Sequence, residues 1–148
     1  MINEKYISRL LADKKLTQYW KQRVIDSIAS IEIVFEVILT NEDITRKRIP
    51  INQIMVACFE EMNMEYAKEI VNQYSYETLA PVTVIRYEDY YVLYMGSVRA
   101  ILFSHYINAV DCIVVNCQSE KVKKFIQGAK YSLSIWSFDN GTIYSENN

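Results

Sequence analysis

Three glycines and two prolines in 148 residues leave little room for a long linker or a low-complexity tail. One histidine and three cysteines (Cys58, Cys112 and Cys117), with no CxxC spacing, argue against a structural zinc site. An odd cysteine count with no tight spacing suits a reducing cytoplasm better than a disulfide framework. The opening MINEKYISRLLADKK holds no apolar run of signal-peptide length. The most apolar helical stretch, residues 28–39, is interrupted by Glu32 and Glu36 and is too charged to span a bilayer. The expected setting is the cytoplasm, with no membrane contact. Excess positive charge is missing too. A net charge of −2 is not the balance of a protein that grips nucleic acid over a broad surface. The two local basic clusters, Arg46–Lys47–Arg48 and Lys121 with Lys123 and Lys124, read as solvated faces or loops.

What the chain does have is apolar material: 51% of its residues are hydrophobic, enough for the core of one domain. Apolar residues recur at helical spacing over 2–12 (Ile2, Tyr6, Leu10, Leu11) and again over 16–39 (Leu16, Tyr19, Trp20, Val24, Ile28, Ile31, Phe35). Asn41-Glu42-Asp43 breaks the pattern. Residues 48–54, with Pro50 among them, read as a short edge strand, because proline cannot donate to a central ladder. Residues 64–74 read as a helix. Val82 and Val84, then Tyr90 to Tyr94, predict two strands around the polar turn Tyr87-Glu88-Asp89. Residues 98–107 read as a helix, and Asp111 to Val115 as a β-branched, central strand. Ser119 is placed to cap a helix ending near Gln127. Residues 131–138, Asn140-Gly141 and residues 142–144 form a hairpin signal, since Asn-Gly suits positive φ. The fold class this implies is α+β: a small mixed sheet with packed helices, an N-terminal helical extension over 1–45, and a domain over 46–148 carrying a C-terminal helix and hairpin.

The strongest candidate site is Gly96-Ser97-Val98-Arg99, where a strand hands over to a helix. Backbone N–H groups at such a junction can face an anion, the helix dipole favours negative charge, and an arginine adds a forked cation. The plain alternative is that Gly96 permits a tight turn and Arg99 makes an ion pair.

From Arg48 to Val115 the chain resembles the ParB N-terminal domain and sulfiredoxin fold. The resemblance rests on Ile49-Pro50-Ile51-Asn52-Gln53-Ile54, Ala80-Pro81-Val82-Thr83-Val84, residues 90–95, Gly96-Ser97-Val98-Arg99-Ala100 and Val110-Asp111-Cys112-Ile113-Val114-Val115. It implies phosphate or nucleotide binding at Gly96, Ser97, Val98 and Arg99, with a nucleoside triphosphate and magnesium as the ligand. Sulfiredoxin chemistry is excluded because the reactive cysteine position holds Ser97, a far weaker nucleophile without an adjacent base. The paired arginines of the ParB turn are reduced to Arg99, and an upstream family arginine is replaced by the stretch from Ala57 to Glu61. About thirty residues follow Val115, so no helix-turn-helix domain is expected and DNA binding does not carry over.

Other candidates are weaker. Glu60, Glu61 and Glu65 could act as a carboxylate base near a nucleotide, or form an acidic loop and helix start. His105 lies two turns into its helix, away from the phosphate-facing end. Tyr87, Tyr90, Tyr91 and Tyr94 could stack on a base or an interface, with ordinary sheet packing as the alternative. The stripe of Tyr6, Leu10, Leu16, Tyr19, Trp20 and Phe35 either packs on the domain or joins two subunits. The resulting expectation is a ParB-like nucleotide- or anion-binding accessory protein of a plasmid or phage, without a strong catalytic signature. Its alternative is a degenerate interaction module, an inhibitor or scaffold, that has lost the nucleotide.

Overall fold

The computed structural model describes residues 2–56, 69–70, 72–75, 77–106, 108–129, 131–133, 136–139 and 142–145. The fold is α+β, as the hydrophobic patterning predicts. Helix α1 (Glu4–Leu10) and helix α2 (Gln18–Phe35) come first. Strands β1 (Ile44–Pro50), β2 (Ile54–Val56), β3 (Val82–Tyr87) and β4 (Tyr90–Met95) follow. Helix α3 (Ser97–Tyr106), strand β5 (Ala109–Val115) and helix α4 (Glu120–Gln127) come next. Strands β6 (Tyr131–Ser132), β7 (Trp136–Asp139) and β8 (Thr142–Ser145) complete the order.

Six strands form one mixed sheet in the order β1-β5-β3-β4-β2-β6. β5 pairs antiparallel with β1 and parallel with β3, so the Asp111–Val115 run is interior, as its β-branched composition demands. β3 and β4 are an antiparallel hairpin whose two-residue connection places Glu88 at φ 52. β1 is an edge strand, and Pro50 ends it without breaking a central ladder. It starts at Ile44, earlier than the proline-centred reading suggested. Residues 51–53 form a 3-10 turn, and the chain re-enters the sheet as β2 on the far side. The C-terminal hairpin pairs Trp136–Asp139 with Thr142–Ser145, whereas Tyr131–Ser132 joins the main sheet beside β2. Residues 69–70 and 72–73 are helical; the rest of the expected 64–74 helix lies outside the described residues.

The helical layer is built into the same core as the sheet. Thr17 caps α2, its hydroxyl accepting from Trp20 N at 3.3 Å. The buried positions Trp20, Val24, Ser27, Ile28, Ile31 and Phe35 then recur with helical spacing. All but Ser27 share one apolar cluster with Ile44, Val84, Val92 and Ile113 of the sheet, each aliphatic or phenylalanine side chain contributing roughly 1.5–3 kcal/mol by its burial. A buried hydroxyl pair at 2.6 Å, Ser27 with Thr83, fixes α2 on β3, and Ser27 also donates to the Val24 carbonyl at 2.7 Å. Most of the apolar stripe of the first helices is therefore spent within the chain. The expected boundary after residue 45 falls inside β1. α2 ends at Glu36, which takes the left-handed conformation at φ 54, a position more often filled by glycine. No helix among the described residues is long and apolar enough to cross a membrane.

Candidate functional site

The Gly96 turn forms where the sequence places it. Gly96 has φ +102, and a Cβ there would lie 2.8 Å from Val82 Cγ1 and 2.9 Å from Arg99 Nη2. Only glycine fits, because the turn needs both the left-handed backbone and the missing side chain. Ala100 N donates to the Gly96 carbonyl at 2.8 Å and opens α3.

Arg99 points inward. Its side chain is 3% exposed, and Nη1 donates to the carbonyls of Ala80 at 3.0 Å and Pro81 at 3.1 Å. The guanidinium carbon lies 5.2 Å from the centroid of the Trp20 ring, itself only 1% exposed. These contacts bind the lead-in to β3, the start of α3 and the N-terminal turn of α2 into one buried joint. Expecting Arg99 to offer its charge to a phosphate does not fit this geometry, because a buried guanidinium committed to carbonyls is not presented to a ligand at the helix start. What the turn leaves open is the exposed Ser97, the half-buried Val98 and the backbone amides of the first turn.

The other sequence candidates are dispersed. Glu60, Glu61, Glu65 and Cys58 lie outside the described residues, as does the His105 side chain, although its backbone is in α3. Among the described residues no group of three or more His, Cys, Asp or Glu is placed to hold a metal. Tyr94 packs against Phe35 and Phe125 at centroid distances of 5.5 and 5.9 Å, and its hydroxyl bonds Ser30. The Tyr91 hydroxyl accepts from Lys47 Nζ at 3.2 Å, and Tyr87 meets Tyr90 edge-on at 5.5 Å. These are packing roles. Of the basic cluster on β1, Arg46 is not free. It reaches Asp111 through Nε at 3.1 Å and Nη2 at 2.6 Å, Asp13 through Nη1, and the Leu10 carbonyl at 2.7 Å. Its pKa is raised, chiefly by the hydrogen bond to Asp111.

A second site, which the sequence reading missed, lies at the carboxyl ends of β3 and β5. Chains leaving neighbouring parallel strands for different elements open a crevice there. Here β3 turns into a hairpin while β5 runs through Asn116-Cys117-Gln118 to α4. Two adjoining depressions of about 490 and 470 Å³ share Arg86, Cys117 and Gln118. The first is walled by residues 36–39 and Asp43, the second by Glu88, Glu120 and the side of α4. The walls are pinned. Leu39 N donates to Glu32 Oε2 at 3.1 Å and Asn116 N to the Asp43 carbonyl at 2.8 Å. Ser119 donates to the Phe35 carbonyl at 2.8 Å while accepting from Val122 N at 3.1 Å, so one hydroxyl both caps α4 and ties it to α2. The Cys117 thiol at the centre is pushed up to about 11, by burial first and by Asp43 second, which makes it a poor nucleophile at neutral pH. Cys112, deep in β5, is held higher still by burial. A polar triplet after a β-branched strand and before a capping serine was the available signal for this crevice. No family model matches the chain, and no curated protein matches it.

Proposed function

We propose that this chain is a protein-interaction module, a divergent member of the ParB/sulfiredoxin-like group whose Gly96 turn serves the fold and not a nucleotide. The observation that carries the reading is the commitment of Arg99 to the Ala80 and Pro81 carbonyls and the Trp20 ring. A triphosphate at the start of α3 would have backbone amides of the first turn but no cation from this motif, too little to hold three phosphate groups against water. Exposed aliphatics supply what an interaction module needs. Ile33 and Ile38 are 78% and 80% exposed, with the half-exposed Val34 beside them, at the end of α2 and in the turn that follows. Large aliphatic side chains left in solvent favour contact with another protein.

The test is a thermal-shift panel of nucleoside mono-, di- and triphosphates, with and without magnesium, on wild type and Arg99→Lys. A ligand that binds the folded state raises the melting temperature by mass action. No rise is expected with any nucleotide. A rise in wild type that disappears in Arg99→Lys overturns the reading.

A further inference from the structure

Strand β1 is an outer strand of the sheet, with β5 on one side and no strand among the described residues on the other. Two hydrogen bonds at its ends fix which residues turn outward. Asn116 N donates to the Asp43 carbonyl at 2.8 Å, and Ile51 N donates to the Asn108 carbonyl at 3.1 Å. Both lie on the register that sets Ile44 against Val115 and Ile49 against Val110. In an antiparallel ladder, alternate residues turn both backbone groups toward the neighbouring strand. The odd-numbered residues of β1 therefore face β5, and Ile44, Arg46, Arg48 and Pro50 face away. The Ile44 carbonyl agrees with this parity, because it accepts from the Tyr6 hydroxyl of α1. Tyr6 thus closes one end of the edge, and Pro50, which has no N–H, ends the other. Between them the backbone groups of Arg46 and Arg48 have no partner among the described residues. Lys47, Arg48 and Pro50 are exposed, so the edge is open to solvent there.

Open donors and acceptors along a strand are a template for an added strand. Charge selects which one. Arg46 is held by Asp13 and Asp111, and Lys15 by Glu77. Lys47 reaches the Tyr91 hydroxyl, an uncharged partner, at 3.2 Å. Arg48 makes no hydrogen bond or ion pair among the described residues. Across β1 and the depression of about 230 Å³ beside it, four cations (Lys15, Arg46, Lys47 and Arg48) stand against three carboxylates (Asp13, Glu77 and Asp111). The two cations without a carboxylate, Lys47 and Arg48, are the exposed ones on the strand. A second copy of β1 laid antiparallel would set Arg46-Lys47-Arg48 against the same residues, and like charges across a strand pair destabilise it. Deepening the interaction-module reading, on which it rests, we infer that the open edge of β1 takes up an extended acidic segment of a partner protein as a further strand of the sheet. The segment's backbone bonds that of Arg46 and Arg48. Its glutamates or aspartates meet Arg48 on one face of the sheet and Lys47 on the other, since successive side chains alternate. The charges are exposed, so binding weakens with salt.

The experiment uses the full chain, labelled with ¹⁵N, and two synthetic nine-residue peptides of threonine and valine, one with three consecutive glutamates at its centre and one with three lysines. The glutamate peptide is expected to shift the amides of Arg46, Lys47, Arg48 and Ile49 saturably, and less in high salt. It should also slow hydrogen exchange at Arg46 and Arg48, whose N–H groups point outward, and leave Lys47 and Ile49, already bonded to β5, as they were. Arg48→Ala and Arg48→Pro both remove the cation, but only proline removes the outward N–H, which the ladder to β5 does not use. The proline variant should bind the glutamate peptide at least about fivefold more weakly than the alanine variant. Unmoved β1 amides, equal shifts with the lysine peptide, or equal affinity of the two variants overturn the inference. So does concentration-dependent protection of the Arg46 and Arg48 amides without peptide, which would mark a second copy on this edge. Failure of the underlying reading shows elsewhere, as a nucleotide-dependent rise in melting temperature that Arg99→Lys abolishes.

Discussion

The Arg99 guanidinium sits 5.2 Å from the centroid of the Trp20 ring, joining the first turn of α3 to the first turn of α2 across 79 positions of sequence. Cation and ring are both buried, so their attraction is stronger than at a wet surface. The Ala80 and Pro81 carbonyls accept from the same guanidinium.

Arg99→Ala should therefore act on stability. It leaves two buried carbonyls without their donor and a cavity against Trp20, and the expected loss is about 3 kcal/mol. Arg99→Lys keeps the charge but not the planar fork, and should lose less. Urea unfolding of the three proteins checks both. Equal stability of wild type and Arg99→Ala would show that the joint contributes nothing.

Gly96→Ala tests the turn itself. The added methyl meets Val82 Cγ1 at 2.8 Å in a backbone conformation of φ +102. Backbone strain and overpacking together should destabilise by about 2 kcal/mol. A drop in urea midpoint with an unchanged slope is the expected signature.

Ile33→Asp combined with Ile38→Asp should leave stability within about 0.5 kcal/mol of wild type, because both side chains stand in solvent. The same variant should lose association with a protein partner, or with a second copy if the chain self-associates. Sedimentation over a wide concentration range reads the second case directly.

The Cys117 thiol predicts an alkaline weakness. Its pKa rises from an ordinary 9.0 to about 11 on folding, through burial and then Asp43. An acid whose pKa is raised in the folded state stabilises fully below the unfolded value and loses that contribution as pH rises through the folded one. Stability should fall between about pH 9 and pH 11, and Cys117→Ala should flatten that part of the profile. Alkylation of Cys117 by iodoacetamide should keep accelerating up to about pH 11 and not level off near 9.

Much of the fold was readable in one dimension because its determinants are local. Ser119 and Thr17 cap helices through bonds reaching only three residues. The β-branched run of β5 declares an interior strand, and Pro50 an edge. The misreadings share a cause. The split of residues 44–56 into β1 and β2 on opposite sides of the sheet depends on partners far along the chain, which no local pattern specifies. The apolar stripe of α2 could not reveal whether a sheet or a second subunit would cover it. Ser27 meeting Thr83 shows that β3 does.

Composition, helix spacing and turn chemistry by themselves determined an α+β chain with few flexible joints and a glycine turn opening a helix, because these follow from steric and capping rules that act over a few residues. Only the tertiary structure decided what the residues at that turn do. Arg99 could have faced solvent or core with the same neighbours in sequence, and the burial of Trp20 beneath it drew the guanidinium inward. The same packing, by setting the ends of β3 and β5 side by side, opened the crevice around Arg86 and Gln118, since a cleft belongs to the space between elements and to none of them alone.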